Sequence, residues 1–263
     1  MKDHENYTQA NRCMWNETAD VHQKNYVEDL LKRIKDPDYT TFDDVEKRIF
    51  SQIDLTGKDV AQLSCNNARE LIAVKKAGAK RCLGLDISDA FIIQGRQLAN
   101  VAAVEIELVC SDIYAVGDEY NHQFDLVYIT VGALGWLPDL ASYFALIARM
   151  LKPGGQLFMY EMHPAMVMFE PETGTTLTAD YFNREAYLLE SHNDYMDPTT
   201  QIKSSSYWFQ HTLADILGQC IKLGLNITHF EEYRHDISGE GAFLANNPHC
   251  PPLCFSLIAK KQS

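Results

Sequence analysis

Residues 59–87 read DVAQLSCNNARELIAVKKAGAKRCLGLDI, and their order decides the fold. A short apolar run at 60–63 is followed by a tight turn, Ser64-Cys65-Asn66-Asn67-Ala68, and a helical pattern at 69–77. A second apolar run at 81–85 then ends in Asp86. Strand, turn, helix, strand and terminal carboxylate make up a nucleotide-type binding unit, in which the ligand lies outside the strand ends and the carboxylate accepts from ribose hydroxyls. Asp86 could instead cap the next helix together with Ser88. The turn carries Ser64, Asn66 and Ala68 where such units normally carry glycines. A pyrophosphate needs those glycines so that backbone amides can approach it. A ligand with ribose and adenine but no phosphate, such as S-adenosylmethionine, asks less of the turn.

The alternation continues downstream. A helix is expected from Asp89 to about Asn100, strands at 106–109 and 124–131, a helix at 138–151, and a strand at 156–162 after Lys152-Pro153-Gly154-Gly155. Leu140, Phe144, Ile147, Ala148 and Leu151 fall on one helical stripe. A helix at 209–223, closed by Gly224, and strands at 225–233 and 253–259 complete the pattern. No convincing helix joins the last two strands, so they are expected to pair antiparallel. The fold class is therefore α/β: a doubly wound, mostly parallel seven-stranded Rossmann-like sheet covered by helices on both faces. Upstream, residues 1–58 read as a helical cap in two pieces, 21–35 and 42–53, broken at Asp36-Pro37-Asp38. Residues 164–207 read as an insertion, a lid over the active site, within a domain spanning 59–263.

Composition narrows the function. A formal net charge of −13 repels phosphate backbones, which argues against nucleic acid and polyanionic substrates. No apolar stretch long enough for a membrane span appears, and the polar start MKDHENYTQANR has no signal-peptide character, so a cytoplasmic protein is expected. Seven cysteines fit reduced thiols better than a disulfide framework. His249, Cys250 and Cys254 lack zinc-type spacing, and no metal is expected.

Several segments resemble class I S-adenosylmethionine-dependent methyltransferases of small-molecule type. VAQLSCNNARE stands where that family has its strand and glycine-rich loop, and GLDIS matches the acidic strand end. VCSDIY resembles the segment whose aspartate, here Asp112, faces the adenine amino group. FDLVYITVGALGWLPDLASYFALIARMLKPGGQLFMYEMHP resembles the fourth strand through the fifth, with its PGG turn. The loop is degenerate, and Gln62 replaces an acidic residue often found before it.

The resemblance implies S-adenosylmethionine as cofactor. Its contacts are then expected from Leu63, Ser64, Cys65, Asn66 and Asn67; from Asp86 and Ile87; from Ser111, Asp112 and Ile113; and from Thr130, Val131 and Gly132. Trp15 and Tyr26 resemble a lid over the cofactor's methionine end, although helices covering a core would look similar. Trp136 either lines the crevice or staples the next helix. Methyl transfer from a sulfonium needs chiefly alignment and water exclusion. A general base is optional, and His163, His211 and Glu161, beside the expected crevice, are the candidates for substrate contact or proton removal. The expected activity is methylation of a small-molecule acceptor whose identity and acceptor atom stay open. A non-catalytic cofactor-binding relative and a nicotinamide-dependent oxidoreductase are the alternatives. Oligomeric state is not legible.

Overall fold

A computed structural model describes residues 2–170, 176–197 and 199–262 of the chain. Residues 171–175 and 198 of the expected insertion lie outside it. In chain order the elements are α1 (Lys2–Asn25), α2 (Val27–Arg33), α3 (Asp44–Ile53), β1 (Asp59–Leu63), α4 (Arg69–Lys76), β2 (Arg81–Asp86), α5 (Asp89–Val101), β3 (Glu107–Cys110), β4 (Phe124–Ile129), α6 (Leu140–Met150) and β5 (Leu151–Met162). The insertion holds β6 (Tyr187–Leu189), β7 (His192–Asn193), β8 (Gln201–Ile202) and β9 (Ser206–Trp208). The chain closes with α7 (Leu213–Lys222), β10 (Leu225–Tyr233), α8 (Ala242–Ala245) and β11 (Cys254–Lys261).

Seven strands form one sheet in the order β10-β11-β5-β4-β1-β2-β3. β1, β2, β3, β4 and β5 pair in parallel, and β11 runs antiparallel between β5 and β10. The strand order therefore reverses between β1 and β4, and a crevice opens at their carboxyl ends, where such sheets bind ligands. Both sheet faces are buried. Ala61, Leu63, Val127 and Ile129 pack with α6 and α7, while Val60, Leu126, Tyr128 and Phe158 pack with α3 and α4.

Several boundaries differ from the sequence reading, each for a local reason. Capping residues set the helix starts later than periodicity suggested. Asp139 accepts from Ser142 N–H and starts α6 at Leu140, and a reciprocal pair between Thr212 and Asp215 starts α7 at Leu213 rather than at 209. β4 ends at Ile129, not 131, and β3 spans Glu107–Cys110. β5 begins at Leu151 and carries the PGG turn as a bulge, since its register against β4 jumps from Phe124↔Leu151 to Leu126↔Gln156. Gly155 is required there, because a Cβ would stand 3.0 Å from both the Lys152 and Phe124 carbonyl oxygens. Lys152 Nζ then ties this bulge to Asp59 and Asp125, each at 2.8 Å.

The N-terminal region needs the largest correction. Residues 1–58 form three helices and not two: α1 runs 24 residues, and α2 is separated from it at Tyr26. α3 belongs to the helical layer of the sheet itself, with Val45, Ile49, Phe50 and Ile53 in the same apolar cluster as Val60 and Phe158. No helix among the described residues is long and apolar enough to cross a membrane.

Candidate functional site

The turn after β1 keeps a glycine-loop conformation without glycines. Ser64, Asn66 and Ala68 have φ of 56°, 51° and 58°, all in the left-handed region where a Cβ is unfavourable. Two partners hold it. Cys65 N–H donates to Leu85 O at 3.0 Å, and Asn66 N–H donates to Asp86 Oδ2 at 2.7 Å. Asn66 then accepts the Asn67 N–H at its own side-chain oxygen, 2.8 Å away.

Asp86 is thus both a loop anchor and a strand-end acceptor, with Ser88 N–H on its other oxygen at 2.8 Å. Ser88 itself caps α5, so the capping reading and the ligand reading of this carboxylate coexist. Burial pushes the Asp86 carboxyl up to about 6, against the pull of its backbone donors. Beside it, Ser111 N–H donates to Asp86 O, and Ile87 and Ile113 are half-buried on the two strand exits. Asp112 caps a short 3-10 turn through Tyr114 N–H at 3.0 Å. Its second oxygen takes a hydrogen bond from Thr8 Oγ1 at 2.6 Å.

That contact belongs to a series by which α1, whose length the sequence reading missed, lies over the crevice. Asn11 Nδ2 donates to Tyr207 O and its Oδ1 accepts from Tyr207 N–H, at 3.0 and 2.7 Å. Asn16 accepts from Ser88 Oγ at 2.7 Å, and Arg12 pairs with Asp89 at 2.9 Å. Glu17 receives the Lys203 and Ser204 amides. Buried His22 and Asp194 face each other at 2.8 Å, with desolvation lowering the imidazole pKa more than the carboxylate raises it. Trp15 sits in this roof, its ring centre 5.2 Å from that of Trp136 and 6.2 Å from that of Tyr195. Tyr26 borders His22, with 5.5 Å between ring centres. α1 is polar along its length, so no apolar stripe announced it.

At the end of β4, Thr130 accepts from Gln62 Nε2 at 3.3 Å, and Val131 is exposed at the rim. Gly132 follows with φ of 84°. Glu161 braces this exit: its buried carboxylate accepts from the amides of Gly132, Ala133, Leu134 and Met162 at 2.6 to 3.1 Å. Burial raises its pKa despite those four donors. With four donors on its two oxygens, Glu161 holds the loop and has little capacity left for proton transfer.

His163 and His211 line one small cavity of about 30 Å³, together with Leu134, Met162, Trp208 and Gln210. That space is about the share of one water in the liquid. Their hydrogen bonds distinguish the two histidines. His163 Nδ1 accepts the Ala165 N–H at 3.0 Å, which assigns the proton to Nε2, 2.9 Å from Glu232 Oε1. His211 Nε2 lies 2.8 Å from Leu137 O. A carbonyl only accepts, so the proton is on Nε2 and Nδ1 keeps its lone pair. Desolvation lowers both pKa values and keeps both rings neutral near pH 7. His163 Nε2 approaches Glu232 without hydrogen-bonding geometry, and the Leu134 carbonyl acts on the His211 ring as well as that of Leu137.

Among the described residues no group of three or more His, Cys, Asp or Glu side chains could hold a metal ion. Cys254 is buried with its thiol on His235 O at 3.2 Å.

Comparison with known proteins bears on the fold that carries this geometry. Residues 61–159 match the family described as methyltransferase domain. A ubiquinone biosynthesis O-methyltransferase of Pseudomonas fluorescens is 31% identical over 112 residues, 42% of this chain and 47% of that protein. A ribosomal protein L11 methyltransferase of Vibrio cholerae is 31% identical over 107 residues, 41% of this chain and 34% of that protein. The matched part of the chain thus spans about half the length of these curated relatives or less. An S-adenosylmethionine-dependent methyltransferase from Mesorhizobium loti superposes with a TM-score of 0.58 at 22% identity, covering 79% of this chain and 92% of that one. Another from Clostridium acetobutylicum gives 0.56 at 13% identity, covering 82% and 89%. At such identities the likeness is one of fold. The chain has the class I S-adenosylmethionine-dependent methyltransferase fold, and residues 61–159 are the part that matches the methyltransferase domain family.

Proposed function

We propose that this chain, built on the class I methyltransferase fold, binds S-adenosylmethionine across Asp86 and Asp112 and transfers its methyl group to a small molecule seated against His163 and His211. The observation that carries the reading is the pairing of a cofactor-type crevice with a cavity, walled by Leu134 and Glu161, that begins where β4 and β5 end. At about 30 Å³ the cavity has room for the reacting group of an acceptor and not for the whole molecule, and its mostly apolar and aromatic lining suits a compact apolar acceptor better than a polymer. The name of the ubiquinone biosynthesis relative points the same way.

In this reading His211 is the base. Its Nε2–H is held by the Leu137 carbonyl, which leaves Nδ1 to accept a proton from an acceptor O–H or N–H as the methyl group is transferred. His163, oriented by the Ala165 amide, shapes the cavity wall. Glu161 keeps the amides of residues 132–134 in place, and the aromatic roof of Trp15, Trp136 and Tyr195 excludes water.

The test is transfer of a labelled methyl group from S-adenosylmethionine to a panel of small aromatic hydroxyl compounds. His211→Ala should lower kcat by roughly 10²- to 10⁴-fold while leaving S-adenosylhomocysteine affinity intact. Equal turnover in wild type and variant would sink the base assignment. Calorimetric binding of NAD, with none of S-adenosylhomocysteine, would sink the cofactor.

A further inference from the structure

The cavity beside His163 and His211 is kept small by its aromatic wall. Trp208 ends β9 and lines that cavity of about 30 Å³. Three atoms of its indole are the nearest neighbours of the position a Gly135 side chain would take. Gly135 has no left-handed φ, so the backbone does not require a glycine there. Its missing side chain lets the indole settle against the chain, and the ring takes up space that an acceptor would otherwise fill.

The chain has three tryptophans, and all of them stand in one row. Trp15 of α1 meets Trp136 edge-on with 5.2 Å between ring centres, and Trp136 meets Trp208 edge-on at 4.9 Å. Edge-to-face contact is a favoured aromatic geometry, so the orientation of the Trp208 ring is tied to α1 at the far end of the row.

The backbone that carries Trp208 depends on α1 as well. β9 pairs only with β6, over three residues, outside the seven-stranded sheet. A two-stranded ribbon by itself is marginally stable. Buried Asn11 supplies what the ribbon lacks. Its Nδ2 donates to Trp136 O at 3.3 Å and to Tyr207 O at 3.0 Å, and its Oδ1 accepts from Tyr207 N–H at 2.7 Å. One side chain thus clasps the two segments that bear Trp136 and Trp208. Tyr7, one turn earlier, packs on Tyr207 and Phe209 with ring centres 4.7 and 5.3 Å apart, and Phe209 N–H donates to Gly135 O at 2.7 Å.

We infer that Trp208 sets acceptor specificity as a size gate, admitting the reacting group of a planar one-ring molecule and turning away fused rings, with Asn11 as the positioning residue that holds it closed. The inference rests on the acceptor reading proposed for this chain. Trp208 touches the acceptor, whereas Asn11 is absent from the cavity wall and acts through the ribbon. Truncating the indole enlarges the cavity directly. Releasing the clasp lets the same ring move aside.

Labelled methyl transfer from S-adenosylmethionine to phenol, naphthol and phenanthrol, with one, two and three fused rings, tests this on the intact chain. S-adenosylhomocysteine binding is measured alongside. Wild type should prefer phenol. Trp208→Ala should raise kcat/KM for the fused-ring compounds relative to phenol by roughly 10- to 100-fold, the discrimination that a fitted apolar pocket gives. Trp208→Phe should fall between, and it decides the matter if Trp208→Ala fails to fold. Asn11→Ala should shift selectivity the same way by a smaller factor, through KM rather than kcat. It should also move the tryptophan emission to the red, since the row holds every tryptophan of the chain. Selectivity within about two-fold of wild type in the Trp208 variants, with S-adenosylhomocysteine still bound, overturns the gate and leaves the acceptor reading standing. Unchanged selectivity in Asn11→Ala alone overturns the clasp. No transfer to any of the three compounds by wild type or the Trp208 variants overturns the acceptor reading and the gate with it.

Discussion

The hydroxyl of Thr8 donates to Asp112 Oδ2 across 2.6 Å, joining the first helix to the carboxylate that follows the third sheet strand. Together with Asn11 on Tyr207 and Glu17 on residues 203 and 204, it makes α1 and the end of the insertion one roof over the crevice. Removing that hydroxyl leaves a half-buried carboxylate oxygen without its protein donor. Thr8→Val should cost about 1.5–3 kcal/mol of α1 docking, the value of a hydrogen bond to a charged group. Hydrogen exchange is expected to show faster opening of the α1 amides with the sheet amides unchanged. Unchanged α1 protection would show that the helix is held elsewhere.

Ala68 has a φ of 58° and is fully buried. Left-handed backbone costs a non-glycine residue about 1–2 kcal/mol. Replacing it by glycine relieves this but loses a buried methyl group worth about 0.8 kcal/mol and adds roughly 0.5–1 kcal/mol of chain entropy. Ala68→Gly should therefore shift stability by less than about 1 kcal/mol. A β-branched side chain has no such compensation, and Ala68→Val should destabilise by more than about 2 kcal/mol. Denaturant midpoints of the two variants decide this, and similar stability for both would contradict a left-handed turn.

Gly135 lies under the Trp208 ring, where an added Cβ would come within 2.1 Å of Cζ2. The ring cannot swing away freely, because Trp136 meets it edge-on at 4.9 Å. Gly135→Ala should cost about 1–3 kcal/mol by overpacking, and it should displace Trp208 from the cavity wall. Pairing it with Trp208→Leu should restore much of the stability. A single variant as stable as wild type would mean that the wall yields.

Glu46 caps α3 and accepts the Tyr128 hydroxyl while buried beneath the sheet. Desolvation, the largest cause, raises its pKa from 4.5 to about 7. Between those values the folded state holds a proton that the unfolded chain has released, so stability falls as pH rises. The full loss is roughly 3 kcal/mol, at about 1.4 kcal/mol for each pH step between the two values, and it is complete above pH 7. In Glu46→Gln this component should vanish, and urea melts at pH 5 and pH 8 should differ less than in wild type. An unaltered pH slope would place the titration elsewhere. His22 acts in the opposite sense: its lowered pKa makes stability fall as pH drops below 6.5.

Much of this protein is written in local pattern. Alternating apolar runs place all seven strands, Asp86 and Asp112 at strand ends follow from their order, and Ser64, Asn66 and Ala68 at the glycine positions do adopt the left-handed backbone. Each of these depends on neighbours within one strand–turn–helix unit, which a 3.6 or 2.0 residue period reports. Helix starts slipped by a few residues because side-chain caps at Asp139 and Thr212, not periodicity, end the frayed turn.

The roof and the hydrogen-bond surroundings of Glu161, His163 and His211 were decided only in three dimensions. α1 is largely polar, so its place is set by hydrogen bonds to residues such as Asp112 and Tyr207, 104 and 196 positions distant along the chain, together with the packing of Tyr7, Met14 and Trp15. Likewise, a histidine in a sequence has two equivalent ring nitrogens. Which one is free depends on whether a backbone amide, as at Ala165, or a carbonyl, as at Leu137, meets it in the folded chain.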